Sequence, residues 1–101
     1  MAFPSLLLDK RTEIANICRR YHVQELSLFG SALGTDFRPE SDLDFLVEFT
    51  PGASIGLLEF GKLQEELEAL LKRKVDLVSK RGLRPLVRER ILQHLEPVYA
   101  G

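Results

Sequence analysis

Two spacings of apolar residues divide the chain into segments that predict helices and segments that predict strands. Apolar residues three and four positions apart are typical of a helix with one buried face, whereas alternation or a short apolar run is typical of a strand. The helical spacing covers residues 5–21, 54–73 and 83–96. The strand pattern covers residues 25–29, 42–49 and 74–79. The chain is therefore expected to alternate between helices and strands.

The residues between these segments predict where the elements begin and end. Ser54 follows a Thr-Pro-Gly turn and is expected to cap the second helix, and Pro97 is expected to end the third. Residues 31–33 are expected to start a short helix, and residues 35–41, which include a proline, to form a loop. Alternating elements indicate an α/β or α+β fold, but the pattern leaves the order of the strands open.

Length, charge and cysteine content limit the kinds of protein to which this sequence can belong. The 101 residues are expected to form one domain, residues 1–101. A net charge of −1 argues against non-specific binding to nucleic acid, which requires a basic surface. Cys18 is the single cysteine, so no internal disulfide can form, and a reducing cytoplasm fits. No apolar run is long enough for a signal peptide or for crossing a membrane.

Two aspartates open the second predicted strand and are the first candidates for chemistry. Residues two apart in a strand point to the same face, so Asp42 and Asp44 present two carboxylates side by side. The apolar residues that alternate with them point to the other face, into a core. Two like charges this close repel each other unless a cation lies between them. Carboxylate oxygens suit Mg²⁺, which usually takes one or two protein carboxylates together with phosphate oxygens.

Gly30 and Ser31 follow the first apolar strand and form a second candidate site. A glycine at the end of a strand allows the backbone to approach a ligand closely. A serine after it can cap the next helix, and the N–H groups at a helix N-terminus bind phosphate. Together with the aspartate pair, this segment predicts a site that binds a nucleoside triphosphate with its metal ion.

Asp76 is the third candidate carboxylate. It lies in the middle of a short apolar strand, where a charged side chain is unfavourable unless something compensates for it. If this strand lies beside the second one, Asp76 completes a triad of carboxylates with Asp42 and Asp44. The alternative is an edge strand on which Asp76 is exposed to water.

The combination of these residues resembles the signature of the polymerase-β-like nucleotidyltransferase superfamily. The match consists of Gly30-Ser31, then Asp42 eleven positions after the serine, then Asp44. The segments LFGSAL, DFRPESDLD and KVDLVSKRGLRP look more specifically like the minimal nucleotidyltransferases of prokaryotes. The resemblance implies the nucleotidyltransferase core, a small mixed sheet with helices packed against it.

The same resemblance implies an activity and a role for each candidate residue. The expected reaction transfers AMP from ATP to a hydroxyl group and releases pyrophosphate, with two Mg²⁺ ions bound. Asp42 and Asp44 are expected to bind both ions, and Asp76 to bind the ion on the acceptor side and to serve as a general base. Gly30 and Ser31 are expected to bind the phosphates of the nucleotide.

The resemblance also implies a protein partner. Minimal nucleotidyltransferases are typically paired with a helical HEPN-domain toxin, and the expected role is that of an antitoxin that adenylylates a tyrosine of this toxin in a type VII-like toxin–antitoxin system. Relatives commonly have an arginine where this chain has Gly34, which removes one cation near the triphosphate or the partner surface. Two alternatives remain open. One is a non-catalytic module that neutralises the helical partner by occlusion, and the other is an enzyme that extends nucleic-acid ends, which the near-neutral charge disfavours.

Overall fold

A four-stranded mixed sheet forms the centre of the chain. The computed structural model describes residues 9–29, 43–82, 84–86, 89 and 95–101. The strands are β1 (Val23–Phe29), β2 (Leu43–Phe49), β3 (Val75–Ser79) and β4 (Glu96–Ala100). They lie in the order β3-β2-β1-β4, and β1 runs antiparallel to both of its neighbours while β2 runs parallel to β3. The mixed sheet expected from the resemblance is therefore confirmed.

Alternation along the two central strands decides which face of the sheet is buried. The side chains that β1 and β2 direct to the core are fully buried, and they include Leu26, Leu28, Leu43, Phe45 and Val47. Because β1 and β2 pair in register over most of their length, these side chains form one continuous apolar surface. The residues between them point to the opposite face, which we call the outer face.

Among the described residues, two long helices cover the core face of the sheet. They are α1 (Arg11–Arg20) and α2 (Leu57–Leu71). Their buried residues, which all join the core cluster, are Ile14, Ile17, Cys18, Leu63, Leu67 and Leu71. Burial raises the pKa of the Cys18 thiol to about 12, so this cysteine is an unreactive core residue. No helix among the described residues is long and apolar enough to cross a membrane.

α2 makes the connection between the two parallel strands. A tight turn cannot join parallel neighbours, so the chain has to cross over one face of the sheet between them. α2 ends at Leu71, and Lys72 adopts a left-handed conformation with a φ of 56°. The N–H of Lys72 donates a hydrogen bond of 2.8 Å to the carbonyl of Glu68. The chain leaves the helix at this residue, and β3 begins at Val75.

The predicted start of the second helix was wrong. α2 begins at Leu57 rather than at residue 54, and its N-cap position is held by Gly56, without a side-chain hydrogen bond. The turn before it contains Gly52 at a φ of 86°, and Gly56 is still in an extended conformation. Because Gly56 is the residue before the first helical turn, Ser54 lies two positions too early to cap the helix and is exposed ahead of it. The helix also ends two residues before the predicted end at residue 73.

The fourth strand was not predicted at all. The apolar spacing predicted a helix over residues 83–96 that Pro97 ends, but Glu96–Ala100 forms β4, in which Pro97 pairs with Ser27 of β1. A proline is tolerated here because β4 is an edge strand and its register with β1 is irregular at this point. Parts of the predicted elements lie outside the described residues, namely residues 5–8, 31–42, 83, 87, 88 and 90–94.

A polar cluster joins α1 to α2 on the surface. The hydroxyl of Tyr21 donates a short hydrogen bond to Glu66, and the guanidinium of Arg20 donates a second one of 2.7 Å to the same carboxylate. The hydrogen bond from Tyr21 lowers the pKa of Glu66, and the same bond raises the pKa of Tyr21. Because the folded state favours ionised Glu66, this group stabilises the fold above the usual titration range of glutamate and ceases to do so as the pH falls.

Tyr21→Phe is expected to lower the free energy of unfolding at neutral pH by up to about 1 kcal/mol, because it removes one hydrogen bond to a charged group at the surface. The difference from the unaltered chain should shrink at a second, acidic pH below the usual titration range of glutamate, because Glu66 becomes increasingly protonated there in both proteins. Urea unfolding at the two pH values measures both effects. Tyr99→Phe, which removes a hydroxyl that is not bonded to Glu66, is the control. An equal loss for Tyr21→Phe at both pH values would contradict the linkage.

Candidate active site

Asp44 lies on the outer face of the sheet, near the start of β2. Its neighbours Leu43 and Phe45 are fully buried, so alternation directs the Asp44 side chain to the opposite face, where it is half-buried. β2 is an interior strand, with β1 on one side and β3 on the other. The prediction that the apolar residues beside Asp44 point away from it into a core is confirmed.

Asp76 lies directly beside Asp44. The parallel register of β2 and β3 pairs these two residues. Val75 and Leu77, which flank Asp76, are buried on the core face, so the carboxylates of Asp44 and Asp76 both belong to the outer face. Neighbouring strands are about 4.8 Å apart, and paired side chains on one face are close enough to bind one ion together.

The sequence left two environments open for Asp76, a place beside the second strand and an exposed place on an edge strand, and the structure combines them. β3 neighbours β2, as the interpretation as a carboxylate triad requires. At the same time β3 is an edge strand, and the side chain of Asp76 is exposed. Water reaches Asp76 on the outer face and compensates for its charge within the apolar strand. Its exposure also leaves it accessible to a ligand.

The remaining candidate residues lie outside the described part of the chain. They are Gly30, Ser31, Gly34 and Asp42. The phosphate-binding turn and the third carboxylate therefore stay predictions. Within the described residues, no group of three or more His, Cys, Asp or Glu side chains could hold a metal ion. The described sheet contributes the pair of Asp44 and Asp76.

This pair of carboxylates fits a divalent cation of the Mg²⁺ type. Two side chains held in register on adjacent strands offer hard oxygen ligands from a fixed backbone, and Mg²⁺ usually takes one or two protein carboxylates together with water or phosphate. Farther along the same strands, Lys80 forms an ion pair with Glu48 at 3.3 Å. The outer face thus carries Asp44 and Asp76 near the start of β2 and β3. At the far end of β2 it carries the Lys80–Glu48 ion pair and, in register with Glu48, Glu25 of β1.

A cavity of about 350 Å³ lies at those far ends. Its lining includes Phe49 and Phe60, whose rings meet edge to face with centroids 6.2 Å apart, together with Lys80 and Arg81. Asp44 precedes Phe49 by five residues, which corresponds to about 16 Å along an extended strand. Neither Asp44 nor Asp76 lines this cavity. No sequence pattern indicated the cavity or the Lys80–Glu48 pair, because both depend on the register of β2 and β3.

The match to a family model decides the class of the chain. Residues 11–98 match the model described as the nucleotidyltransferase domain. The chain belongs to the nucleotidyltransferase domain family. The match includes Asp44 and Asp76, and the prediction that the chain is a nucleotidyltransferase enzyme is confirmed.

Two similar proteins define the family more narrowly. Protein adenylyltransferase MntA of Thermococcus cleftensis is 40% identical to this nucleotidyltransferase over 76 residues, which are 75% of each protein. A solved structure named as a minimal nucleotidyltransferase is 38% identical, has a TM-score of 0.77, and covers 92% of this chain and 93% of its own. These likenesses confirm the predicted membership in the minimal nucleotidyltransferases.

A third likeness shows the fold alone. It is to one chain of a complex between a tri-AMPylated HEPN toxin of Shewanella oneidensis and an MNT antitoxin. The nucleotidyltransferase superposes on that chain with a TM-score of 0.69, over 94% of its own length and 73% of the other chain, at 18% sequence identity. The same sheet and helices are therefore found in a much more divergent sequence.

Asp76→Asn is expected to weaken the stabilisation of this nucleotidyltransferase by divalent cations, because it removes one of the two paired carboxylates while keeping the shape of the side chain. Without cations, this exposed substitution should change the free energy of unfolding by less than about 0.5 kcal/mol. Thermal unfolding at increasing Mg²⁺ or Mn²⁺ concentration measures both quantities. Glu65→Gln, on the exposed surface of α2, should respond to cations like the unaltered chain. An unchanged response of Asp76→Asn would exclude Asp76 as a ligand.

Proposed function

We propose that this minimal nucleotidyltransferase transfers AMP from ATP to a tyrosine hydroxyl of a HEPN-domain partner, and that it acts as an antitoxin by doing so. The observation that carries the proposal is the direct pairing of Asp44 with Asp76 in a chain of this family. The name of the MntA relative, protein adenylyltransferase, supports a protein as the acceptor. The AMPylated HEPN toxin in the Shewanella oneidensis complex supports the class of partner. The cytoplasm is the location that fits this role.

The nucleotide and the metal are bound by two groups of residues. Asp42, Asp44 and Asp76 hold Mg²⁺, of which two ions are expected, and Gly30 and Ser31 bind the phosphates of ATP. When bound, Mg²⁺ neutralises charge on the triphosphate and lowers the pKa of the acceptor hydroxyl. Asp44 and Asp76 are supported by their register, and the other three residues by the family signature.

Asp76 is suited to receive the proton of the acceptor. Its side chain is exposed on an edge strand, so a hydroxyl carried by a second protein can reach it from solvent. The hydroxyl oxygen attacks the α-phosphorus of ATP, and the bond from this phosphorus to the pyrophosphate oxygen breaks. The hydroxyl proton passes to the Asp76 carboxylate. The products are a partner that carries AMP through a phosphodiester bond and free pyrophosphate.

A non-catalytic antitoxin is the second candidate. Gly34, in place of the arginine common in relatives, is the observation that favours it. In this case the chain neutralises the helical partner by covering its functional surface, and AMP transfer is not required.

Intact-mass spectrometry of a HEPN-domain protein co-expressed with this chain tests the proposal. The unaltered chain should add whole AMP units to the partner, and Asp42→Asn/Asp44→Asn should add none, because it removes two of the three carboxylates. Asp76→Asn should slow the transfer at least about tenfold. Glu65→Gln should transfer AMP like the unaltered chain.

Two outcomes of this experiment contradict the catalytic role. AMP transfer that survives in Asp42→Asn/Asp44→Asn would show that the carboxylates are wrongly assigned. A partner that stays unmodified, co-purifies with the unaltered chain and is inactive would support the non-catalytic antitoxin instead.

A further inference from the structure

Glu68 contacts the start of β3 from the end of α2. Its carboxylate accepts a hydrogen bond from the backbone N–H of Val75, with an N–O distance of 2.9 Å in a partly buried position. Its backbone carbonyl accepts the hydrogen bond from Lys72, the left-handed residue after the helix. One residue therefore binds both the end of α2 and the first residue of β3. A hydrogen bond from an N–H to an ionised carboxylate is stronger than one between neutral groups.

The N–H of Val75 points away from the rest of the sheet. The N–H of Leu43 donates a hydrogen bond of 2.9 Å to the carbonyl of Lys74, so this carbonyl points toward β2. The carbonyl of Lys74 and the N–H of Val75 belong to one trans peptide group, and they point in opposite directions. The N–H of Val75 therefore points to the outer edge of β3, where the described sheet has no further strand. Glu68 supplies the acceptor at this edge.

We infer that Glu68 is a positioning residue of the active site, which acts through Asp76. Val75 immediately precedes Asp76, whose register with β2 places it beside Asp44. β3 has one neighbouring strand, so the carboxylate of Glu68 gives its first residue a support that an interior strand obtains from a second neighbour. Without it, the start of β3 can move away from β2, and the Asp76 carboxylate loses its place beside Asp44. This inference rests on the proposed function, because it requires the two aspartates to share a divalent cation.

Glu68→Ala and Glu68→Gln separate the hydrogen bond from the charge. Both variants remove the negative charge, but the glutamine keeps an oxygen that can accept the hydrogen bond from Val75. We expect the Mn²⁺ concentration that gives half of the maximal thermal stabilisation to rise about tenfold for Glu68→Ala and to stay within about twofold for Glu68→Gln. Glu65→Ala, the same substitution at an exposed position of α2, should leave it unchanged. A merely structural role would lower the melting temperature without moving this midpoint.

Hydrogen exchange of the backbone amides gives a second measurement that needs neither metal nor activity. The amide of Val75 should be protected in the unaltered chain and in Glu68→Gln, and it should exchange faster in Glu68→Ala. Equal exchange of this amide in the unaltered chain and in Glu68→Ala would overturn the inference, since the hydrogen bond would then not hold the strand.

The outcomes distinguish a failure of the inference from a failure of the proposed function. If the unaltered chain responds to Mn²⁺ and Glu68→Ala has the same midpoint, the inference about Glu68 alone is overturned. The same holds if Glu68→Gln is as impaired as Glu68→Ala, because the charge rather than the hydrogen bond would then matter. If the unaltered chain neither responds to Mn²⁺ nor transfers AMP, the proposed function fails and the inference fails with it.

Discussion

The parallel register between β2 and β3 is the constraint on which the core and the candidate site both depend. It is held at its start by the hydrogen bond from Leu43 to Lys74, and it sets Asp44 beside Asp76. The same register places the apolar side chains on either side of these aspartates in the core. A shift of one strand by a single residue would turn its aspartate into the core and its apolar residues to the outer face, which is costly. Burial of the core therefore also enforces the arrangement of the two carboxylates.

The candidate site of Asp44 and Asp76 lies at the edge of the described sheet, where β3 has a neighbouring strand on one side. Asp44 belongs to an interior strand and is half-buried, whereas Asp76 belongs to an edge strand and is exposed. Exposure suits a reaction whose second substrate is another protein, because the acceptor hydroxyl can approach the edge without opening the fold. An edge strand has one lateral neighbour, so α2 takes part in holding it, through its crossover connection and through Glu68. The C-terminal end of α2 thus contributes both to the core, through Leu71, and to the support of β3, through Glu68.

Two separate observations support metal-dependent nucleotidyl transfer, namely membership in the minimal nucleotidyltransferases and the pairing of the two aspartates. The family match covers residues 11–98 and says nothing about side-chain geometry. The register of β2 and β3 brings two carboxylates together whatever the family is. The cavity near Phe60 and the ion pair between Lys80 and Glu48 lie at the other ends of these strands. The two paired aspartates are therefore separate from the cavity and from this ion pair.

The sequence by itself determined most elements and the face of β2 on which Asp44 lies, because local periodicity decides which side chains share a face. It did not determine β4, since an edge strand that contains Pro97 has no regular pattern. Nor did it determine the start of α2, where Gly56 rather than Ser54 holds the N-cap position. Only the tertiary structure decided that Asp76 lies beside Asp44 and is exposed, and that Glu68 binds the edge of β3. These contacts join residues that are distant in sequence, and their register depends on how α2 returns the chain to the sheet.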